Sequence, residues 1–242
     1  MNKKDLDQQS HHWENSFSSN PEMFGLDPSK SARHAKEIFE NQKVKIFFKR
    51  KKIDILELGA GLGRDTTYFA KNSNLIQVTA LDYSSEAIKN INKKKIEYYS
   101  DPKMSEGRSA ADRITTKVWD VRNGIPYKDN SFDGCYSHML YCMALTTSEI
   151  IKLSQEVHRI LKPGGINIFT VRHTGDGDYK KGKHFGEDLY ENDGFIIHFF
   201  NKEKINLISK GFKIENIFEL YEGNFPRKLF VVTQRKKGIW NF

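Results

Sequence analysis

Short runs of β-branched and large apolar residues alternate along the chain with stretches whose apolar positions recur every three to four residues. That alternation predicts βα units on a mainly parallel sheet. After a polar start, Asp27-Pro28-Ser29 supplies a helix-initiating signal, and Ala32, Ala35, Ile38 and Phe39 follow at helical spacing, so a first helix is predicted to end before the basic cluster Lys43 to Lys52. Ile53 to Leu58 reads as the first strand, Gly59-Ala60-Gly61-Leu62-Gly63 as a turn, and Arg64 to Lys71 as the helix that the turn opens. Gln77 to Asp82 is the second strand, and Ser84-Ser85-Glu86 starts a helix running to about Tyr98, with a serine cap and an acidic first turn. A loop is predicted from Ser100 to Asp112, then a third strand over Ile114 to Trp119 and a fourth over Phe132 to Ser137. A helix over Thr147 to Leu161 is stopped by Lys162-Pro163-Gly164-Gly165, and Ile166 to Val171 forms the fifth strand. The Gly-, Asp- and Lys-rich residues 173–193 are predicted to be a loop or an insertion, long enough to suggest a functional segment. A helix over Lys202 to Lys210 and two strands, Phe212 to Glu219 and Lys228 to Gln234, complete the pattern; the two strands are close enough in sequence to be antiparallel neighbours.

Composition narrows this picture. At 242 residues with 38% apolar side chains, the chain has material for one packed α/β domain and is not globally disordered. The longest uninterrupted apolar run, Met139 to Leu145, is far too short for a bilayer span, and the N-terminal residues lack the apolar core of a secretory signal. No membrane association and a cytoplasmic location are therefore expected. Cys135 and Cys142 are too few and wrongly spaced for a zinc site or a disulfide framework and read as structural thiols. His11-His12 lacks a third ligand, so no metal is expected. The net charge of +8 invites a nucleic-acid reading, but Lys, Asn and Ile together exceed a quarter of the chain, so the excess is partly compositional.

Where the charge sits matters more. Residues 53–88 sum to −3, from Asp54, Glu57, Asp65, Asp82 and Glu86 against Arg64 and Lys71, whereas residues 200–242 sum to +5. Glycines at 59, 61 and 63 after a strand allow a tight turn and close approach of a ligand to the backbone. The loop is G-x-G-x-G with Glu57 ahead of it, not the dinucleotide G-x-G-x-x-G. Asp82, nineteen residues after Gly63, ends the second strand, where a carboxylate accepts hydrogen bonds from ribose hydroxyls. A pyrophosphate is poorly served by an acidic segment. S-adenosylmethionine, which carries a sulfonium and an ammonium against one carboxylate, suits it better, with Glu57 and Asp65 facing its methionine portion. The bland reading, in which Glu57 and Asp65 only cap or pair near a helix start, stays open.

Glu57-Leu-Gly-Ala-Gly-Leu-Gly63, Leu81-Asp-Tyr-Ser84, Trp119-Asp-Val-Arg122, Phe132-Asp-Gly134 and Leu161-Lys-Pro-Gly-Gly165 occur in that order. Over about residues 30–235 the chain resembles class I S-adenosylmethionine-dependent methyltransferases and is similar to their small-molecule, thiopurine and tellurite-resistance type. The resemblance implies a doubly wound seven-stranded sheet, order 3-2-1-4-5-7-6, with strand 7 antiparallel and helices on both faces. It implies that Gly59, Ala60, Gly61 and Gly63 pass the methionine moiety, that Asp82 binds the ribose, and that Tyr83 lies beside the adenine. It places Asp120 at the adenine amino group with the Val121 amide nearby, and counts Ser137 among the cofactor contacts. Residues 1–30, with Trp13 and Phe24 as anchors, are expected to fold as a lid over a domain spanning 31–242.

On the acceptor side, the sequence after the fourth strand is Ser137-His-Met-Leu-Tyr-Cys-Met143, without the Asn- or Asp-Pro-Pro-aromatic motif of amino-group methyltransferases acting on nucleic acids. His138 and Tyr141 are the candidates to handle a proton or orient an acceptor, and Arg172 and His173 are the candidates to contact an acidic acceptor. Each also has a structural reading: a hydrogen-bonding His, a pocket-lining Tyr, an Arg paired with Asp176 or Glu187. A small-molecule methyl acceptor is the expected partner and nucleic acid is disfavoured. The alternatives are an RNA methyltransferase using the basic runs Lys43 to Lys52, Lys89 to Lys95 and Arg235 to Lys237, and a cofactor-binding protein without transferase activity. A nicotinamide oxidoreductase does not match the loop.

Overall fold

The computed structural model describes residues 3–41, 52–100, 110–223 and 227–238. The basic run Lys43 to Lys52 and the expected loop after Ser100 therefore fall largely outside the described residues. The elements are α1 (Lys3–Ser19), α2 (Lys30–Glu40), β1 (Ile53–Leu58), α3 (Arg64–Lys71), β2 (Ile76–Asp82), α4 (Ser85–Ser100), β3 (Ile114–Val118), β4 (Phe132–His138), α5 (Thr147–Ile160) and β5 (Leu161–Arg172). They are followed by β6 (Lys183–Gly186), β7 (Leu189–Asn192), β8 (Phe195–His198), α6 (Lys202–Ile208), β9 (Phe212–Glu222) and β10 (Arg227–Lys236).

Seven strands form one sheet in the order β3-β2-β1-β4-β5-β10-β9. The first five are parallel, and β10 runs antiparallel to both neighbours. This is the expected 3-2-1-4-5-7-6 order, with β9 and β10 as its sixth and seventh strands. Both faces are covered because strand side chains alternate. Ile55, Ile168 and Val231 pack with Phe39 of α2, Phe69 of α3 and Ile91 of α4, while Leu56, Phe169 and Val232 pack with Leu153 and Val157 of α5 and Ile205 of α6. Cys135 and Cys142 are free buried thiols. Among the described residues no helix is long and apolar enough to cross a membrane, and no cluster of metal-ligating side chains occurs.

Three expectations are corrected. Residues 1–30, expected as a lid segment with no helix assigned before Asp27, contain the 17-residue helix α1. Lys162-Pro-Gly-Gly165 does not separate helix from strand: α5 ends at Ile160 and β5 already starts at Leu161. Leu161 pairs with Phe132 and Ile166 with Gly134, so the extra residues are accommodated as a bulge around Gly164, whose φ is 78°. Residues 173–193 are not an irregular connection, because β6 and β7 lie within them and β8 completes a separate three-stranded antiparallel sheet. Its turns have paired left-handed residues, Glu187 (φ 54°) with Asp188 (φ 64°) and Asp193 (φ 51°) with Gly194 (φ 84°), the conformations of two-residue hairpin loops matched to strand twist.

The small sheet is fastened by His198, which is fully buried. Its Nδ1–H donates to the Leu145 carbonyl (2.7 Å) and its Nε2 accepts from Lys204 Nζ (2.8 Å). Burial and the Lys204 charge push its pKa down to about 4. The folded pKa lies below the unfolded value near 6.5, so this stability is complete at pH 7 and is lost as pH falls through that window. Urea titrations at pH 7.5 and 4.5 should differ by roughly 2–3 kcal/mol from this group. The part of the pH dependence that belongs to it should disappear in His198→Asn. Identical pH dependence in the two proteins would exclude His198 as the source.

Candidate active site

A cavity of about 680 Å³ opens at the carboxyl ends of the central strands, where the strand order reverses between β1 and β4. The turn after β1 forms its floor. Gly59 (φ 67°) and Gly61 (φ 52°) require left-handed backbone; a Cβ at Gly61 would have only Phe17 within 4 Å, at 3.8 Å, so Gly61 faces open space, whereas one at Gly59 would press on Leu140 at 3.1 Å. Asp82 at the end of β2 is buried; its Oδ2 accepts from the Gly61 amide (2.8 Å) and its Oδ1 from the Ser84 amide (2.9 Å). Burial pushes its pKa up to about 6 despite those two amides. Tyr83 lies beside it on the wall and reaches toward the Gln9 carbonyl at 3.5 Å. Glu57 is buried and accepts from Thr66 Oγ1 (2.6 Å); burial and then the neighbouring Asp65 raise its pKa well above the carboxylate range.

Asp65 also lines the cavity, but its hydrogen bonds turn inward. It accepts from the Ser29 amide (2.7 Å), the Ser29 hydroxyl (2.7 Å) and the Tyr136 hydroxyl (2.9 Å), tying the start of α2 to α3 and β4. This network continues through Ser31 to His138, whose Nδ1 lies 3.0 Å from Ser31 Oγ and 3.1 Å from Thr170 Oγ1. Burial lowers the His138 pKa, although Asp65 and Glu222 pull the other way, so the ring is neutral at pH 7. His138 is on the cavity wall with Met139, Leu140 and Met143.

The other sequence candidates divide. Arg172 lines the cavity, but its guanidinium is consumed by Asp176 (2.5 and 3.0 Å) and Asp178 (2.7 Å). Tyr141 is not on the wall: it is fully buried in the core and stacks on Phe169 at 4.7 Å. Its expected role as proton handler is corrected, since burial raises its pKa and removes it from any acceptor. His173 points away as well, packing on Phe230 at 4.0 Å with Nε2 3.4 Å from Glu219. Gly63 serves helix packing, because a Cβ there would collide with Ile91 of α4. Asp120 is held in a two-pronged pair with Arg122 (2.6–3.0 Å) and caps the turn over Val121–Asn123, so neither Asp120 nor Val121 is on the wall. Ser137 is fully buried within β4.

Sequence reasoning missed how α1 is attached. Glu14 accepts from the Ser84 hydroxyl, the Ser85 hydroxyl (2.6 Å) and the Glu86 amide (3.3 Å), so a side chain of α1 caps α4. Gln9 meets β8 by donating to the Gly194 carbonyl (2.7 Å) and accepting from the Ile196 amide (3.1 Å). Between these anchors Trp13 stacks near Phe17 (5.3 Å) and Phe195 (4.9 Å), and all three rings line the cavity. A Glu and a Gln in a polar helix carry no local signal for such contacts.

The wall bears six carboxylate side chains against three arginines. That balance and the half-buried glycines 59 and 61 on the wall fit a cationic nucleoside ligand such as S-adenosylmethionine and disfavour a pyrophosphate. Asp82, Tyr83, Gly59, Ala60 and Gly61, the cofactor contacts expected from the sequence, all line this cavity.

Residues 56–169 match the protein family described as a methyltransferase domain. The chain is 27% identical over 158 residues, 64% of its length, to 24-methylenesterol C-methyltransferase 2 of Arabidopsis thaliana, covering 38% of that protein. It is 29% identical over 183 residues, 68% of its length, to the tRNA(Thr) (cytosine(32)-N(3))-methyltransferase of Saccharomyces cerevisiae, covering 26% of it. The chain thus spans well under half the length of these curated relatives. Among solved structures, 1,6-didemethyltoxoflavin-N1-methyltransferase of Burkholderia thailandensis, with bound 1,6-didemethyltoxoflavin and S-adenosylhomocysteine, superposes with a TM-score of 0.65 at 18% identity, over 96% of this chain and 88% of that one. The [4+2]-cyclase SpnF gives 0.66 at 16% identity, over 96% of both chains. At these identities the likeness shows the fold, and one fold hosts several chemistries.

Proposed function

We propose that the chain is a class I, S-adenosylmethionine-dependent methyltransferase and that it methylates a small molecule enclosed beneath α1. The observation that carries this reading is the cover. Helix α1 is tied to α4 by Glu14 and to the turn before β8 by Gln9, and its Trp13 and Phe17 line the cavity. A roofed cavity with aromatic and Met-rich walls suits a small acceptor, whereas a polynucleotide needs an open, basic groove.

Bound S-adenosylmethionine supplies an electrophilic methyl group. The protein's part is to hold the nucleoside on Asp82 and Tyr83, to align the acceptor and to exclude water with Trp13, Phe17 and Phe195. His138, neutral and on the wall, is the side chain best placed to accept a proton from an acceptor that must lose one.

The tRNA-acting relative makes RNA the second reading. The lysines of α4 speak against it: Lys94 Nζ donates to the Leu62 carbonyl (2.8 Å), Lys95 Nζ to the Ile114 carbonyl (2.7 Å), and Lys89 pairs with Glu86 (2.5 Å). Much of this basic run is spent on the protein itself. The two readings separate in an assay of S-adenosylhomocysteine release. Turnover is expected with a fractionated small-molecule extract and not with total tRNA at low salt. Release that depends on tRNA and not on the small-molecule fraction would overturn the proposal.

A further inference from the structure

Glu222 and Arg227 face each other as cross-strand partners at the end of the β9–β10 ribbon, and both line the cavity. Directly opposed residues of an antiparallel pair project to the same side, with Cβ atoms about 5 Å apart, so a Glu and an Arg in this register ordinarily pair with one another. Here they do not. Glu222 Oε1 is taken by Arg64 Nη2 at 2.9 Å, and Arg64 gives Nη1 to the Phe24 carbonyl at 3.1 Å. The second oxygen, Oε2, is buried and has no hydrogen-bond partner among the described residues. His138 Nε2 stands 3.5 Å from it, an ion pair only when the ring is protonated. Arg227 is exposed to the cavity mouth, and among the described residues no hydrogen bond or ion pair engages its guanidinium. Of the three arginines on the wall, Arg172 is consumed by two aspartates and Arg64 by Glu222 and a carbonyl, which leaves Arg227 as the cation with donors to offer.

A buried carboxylate oxygen without a donor is costly, and Arg227, its cross-strand neighbour, presents an exposed guanidinium with no partner among the described residues. A ligand that engages both must present a positive donor to Glu222 and an anionic acceptor to Arg227. We propose that Glu222 and Arg227 form a recognition pair for an α-amino-acid terminus, Glu222 taking the ammonium and Arg227 the carboxylate. This rests on the cavity being the S-adenosylmethionine site. The cofactor's own methionyl end is the favoured source, because Arg64, which holds Glu222, directly follows Gly63 of the turn beneath the cavity. An amino-acid acceptor would offer the same chemistry.

Calorimetry on the full chain tests the pair with S-adenosylhomocysteine and with 5′-methylthioadenosine, which keeps the nucleoside and sulfur but lacks the amino-acid end. Arg227→Gln and Glu222→Gln are each expected to weaken S-adenosylhomocysteine by about 10- to 100-fold, the worth of a charge-assisted hydrogen bond. Binding of 5′-methylthioadenosine should be unchanged, which also shows that the variants are folded. Arg227→Lys should recover part of the loss. If the preference for S-adenosylhomocysteine survives both substitutions, yet glycine binds the S-adenosylhomocysteine-saturated wild type and not Arg227→Gln, recognition of an amino-acid end stands with the acceptor as its source. An unchanged preference with no glycine binding overturns the inference while leaving the cofactor site intact. Failure of the wild type to bind either nucleoside overturns both.

Discussion

Asp82→Asn is expected to weaken S-adenosylhomocysteine binding by about 10- to 100-fold, because a carboxylate that accepts from ribose hydroxyls contributes charge-assisted hydrogen bonds that an amide matches only in part. The substitution is conservative in shape and leaves an acceptor for either the Gly61 or the Ser84 amide, so the turn should persist. The pH dependence offers a second readout. Burial raises the Asp82 pKa to about 6 in the free protein. The ionised form is the better acceptor, so affinity should be full above that value and fall as pH drops through it. In Asp82→Asn the inflection should be absent. Calorimetric titrations at pH 7.5 and 5 check both points. Equal affinity of variant and wild type at pH 7.5 would remove Asp82 from the ribose site.

Gly63→Ala should destabilise the fold by about 2–4 kcal/mol, combining left-handed backbone for a residue with a Cβ and overpacking against a neighbouring helix. Gly63 has φ 77° at the start of α3, and a Cβ there would collide with Ile91 Cγ1. The loss is not expected to add simply with that of Ile91→Ala, which clears the collision but not the backbone strain. In a double-mutant cycle from urea midpoints the pair should show a favourable coupling of about 1 kcal/mol or more. Strict additivity would mean that the helix contact plays no part. The third glycine of the turn thus works for packing, whereas Gly59 and Gly61 line the cavity.

The main sheet was legible in the sequence because its strands are compact β-prone runs between strong punctuation: Ile53–Leu58 and Arg64–Lys71 fall where the pattern put them. Legibility failed where the determining contacts are distant. Helix α1 has a polar surface, and its place is set by Glu14 on α4 and Gln9 on β8, neither of which leaves a periodic trace. The small sheet was misread because polar composition over 173–193 masked its turns, although Asp193-Gly194 was a usable hairpin signal. Asp82, Gly59 and Gly61 could be placed together from the sequence because they belong to one local βα turn and the strand end beside it. Tyr141 was misjudged because proximity to His138 in sequence does not fix which face a side chain takes after a strand ends. Met139 has φ 63° and the chain bends there, after which Tyr141 lies in the core. Glu222 and Arg227 were invisible because only the β9–β10 register makes them neighbours.

The central claim is that this cavity binds S-adenosylmethionine, and one titration addresses it directly. S-adenosylhomocysteine added to the purified full chain at pH 7.5 should give one-site binding with a dissociation constant of roughly 1–100 μM, displaced by S-adenosylmethionine. Absence of binding with ligand at about 1 mM, where an affinity weaker than −4 kcal/mol would be implied, would contradict the account.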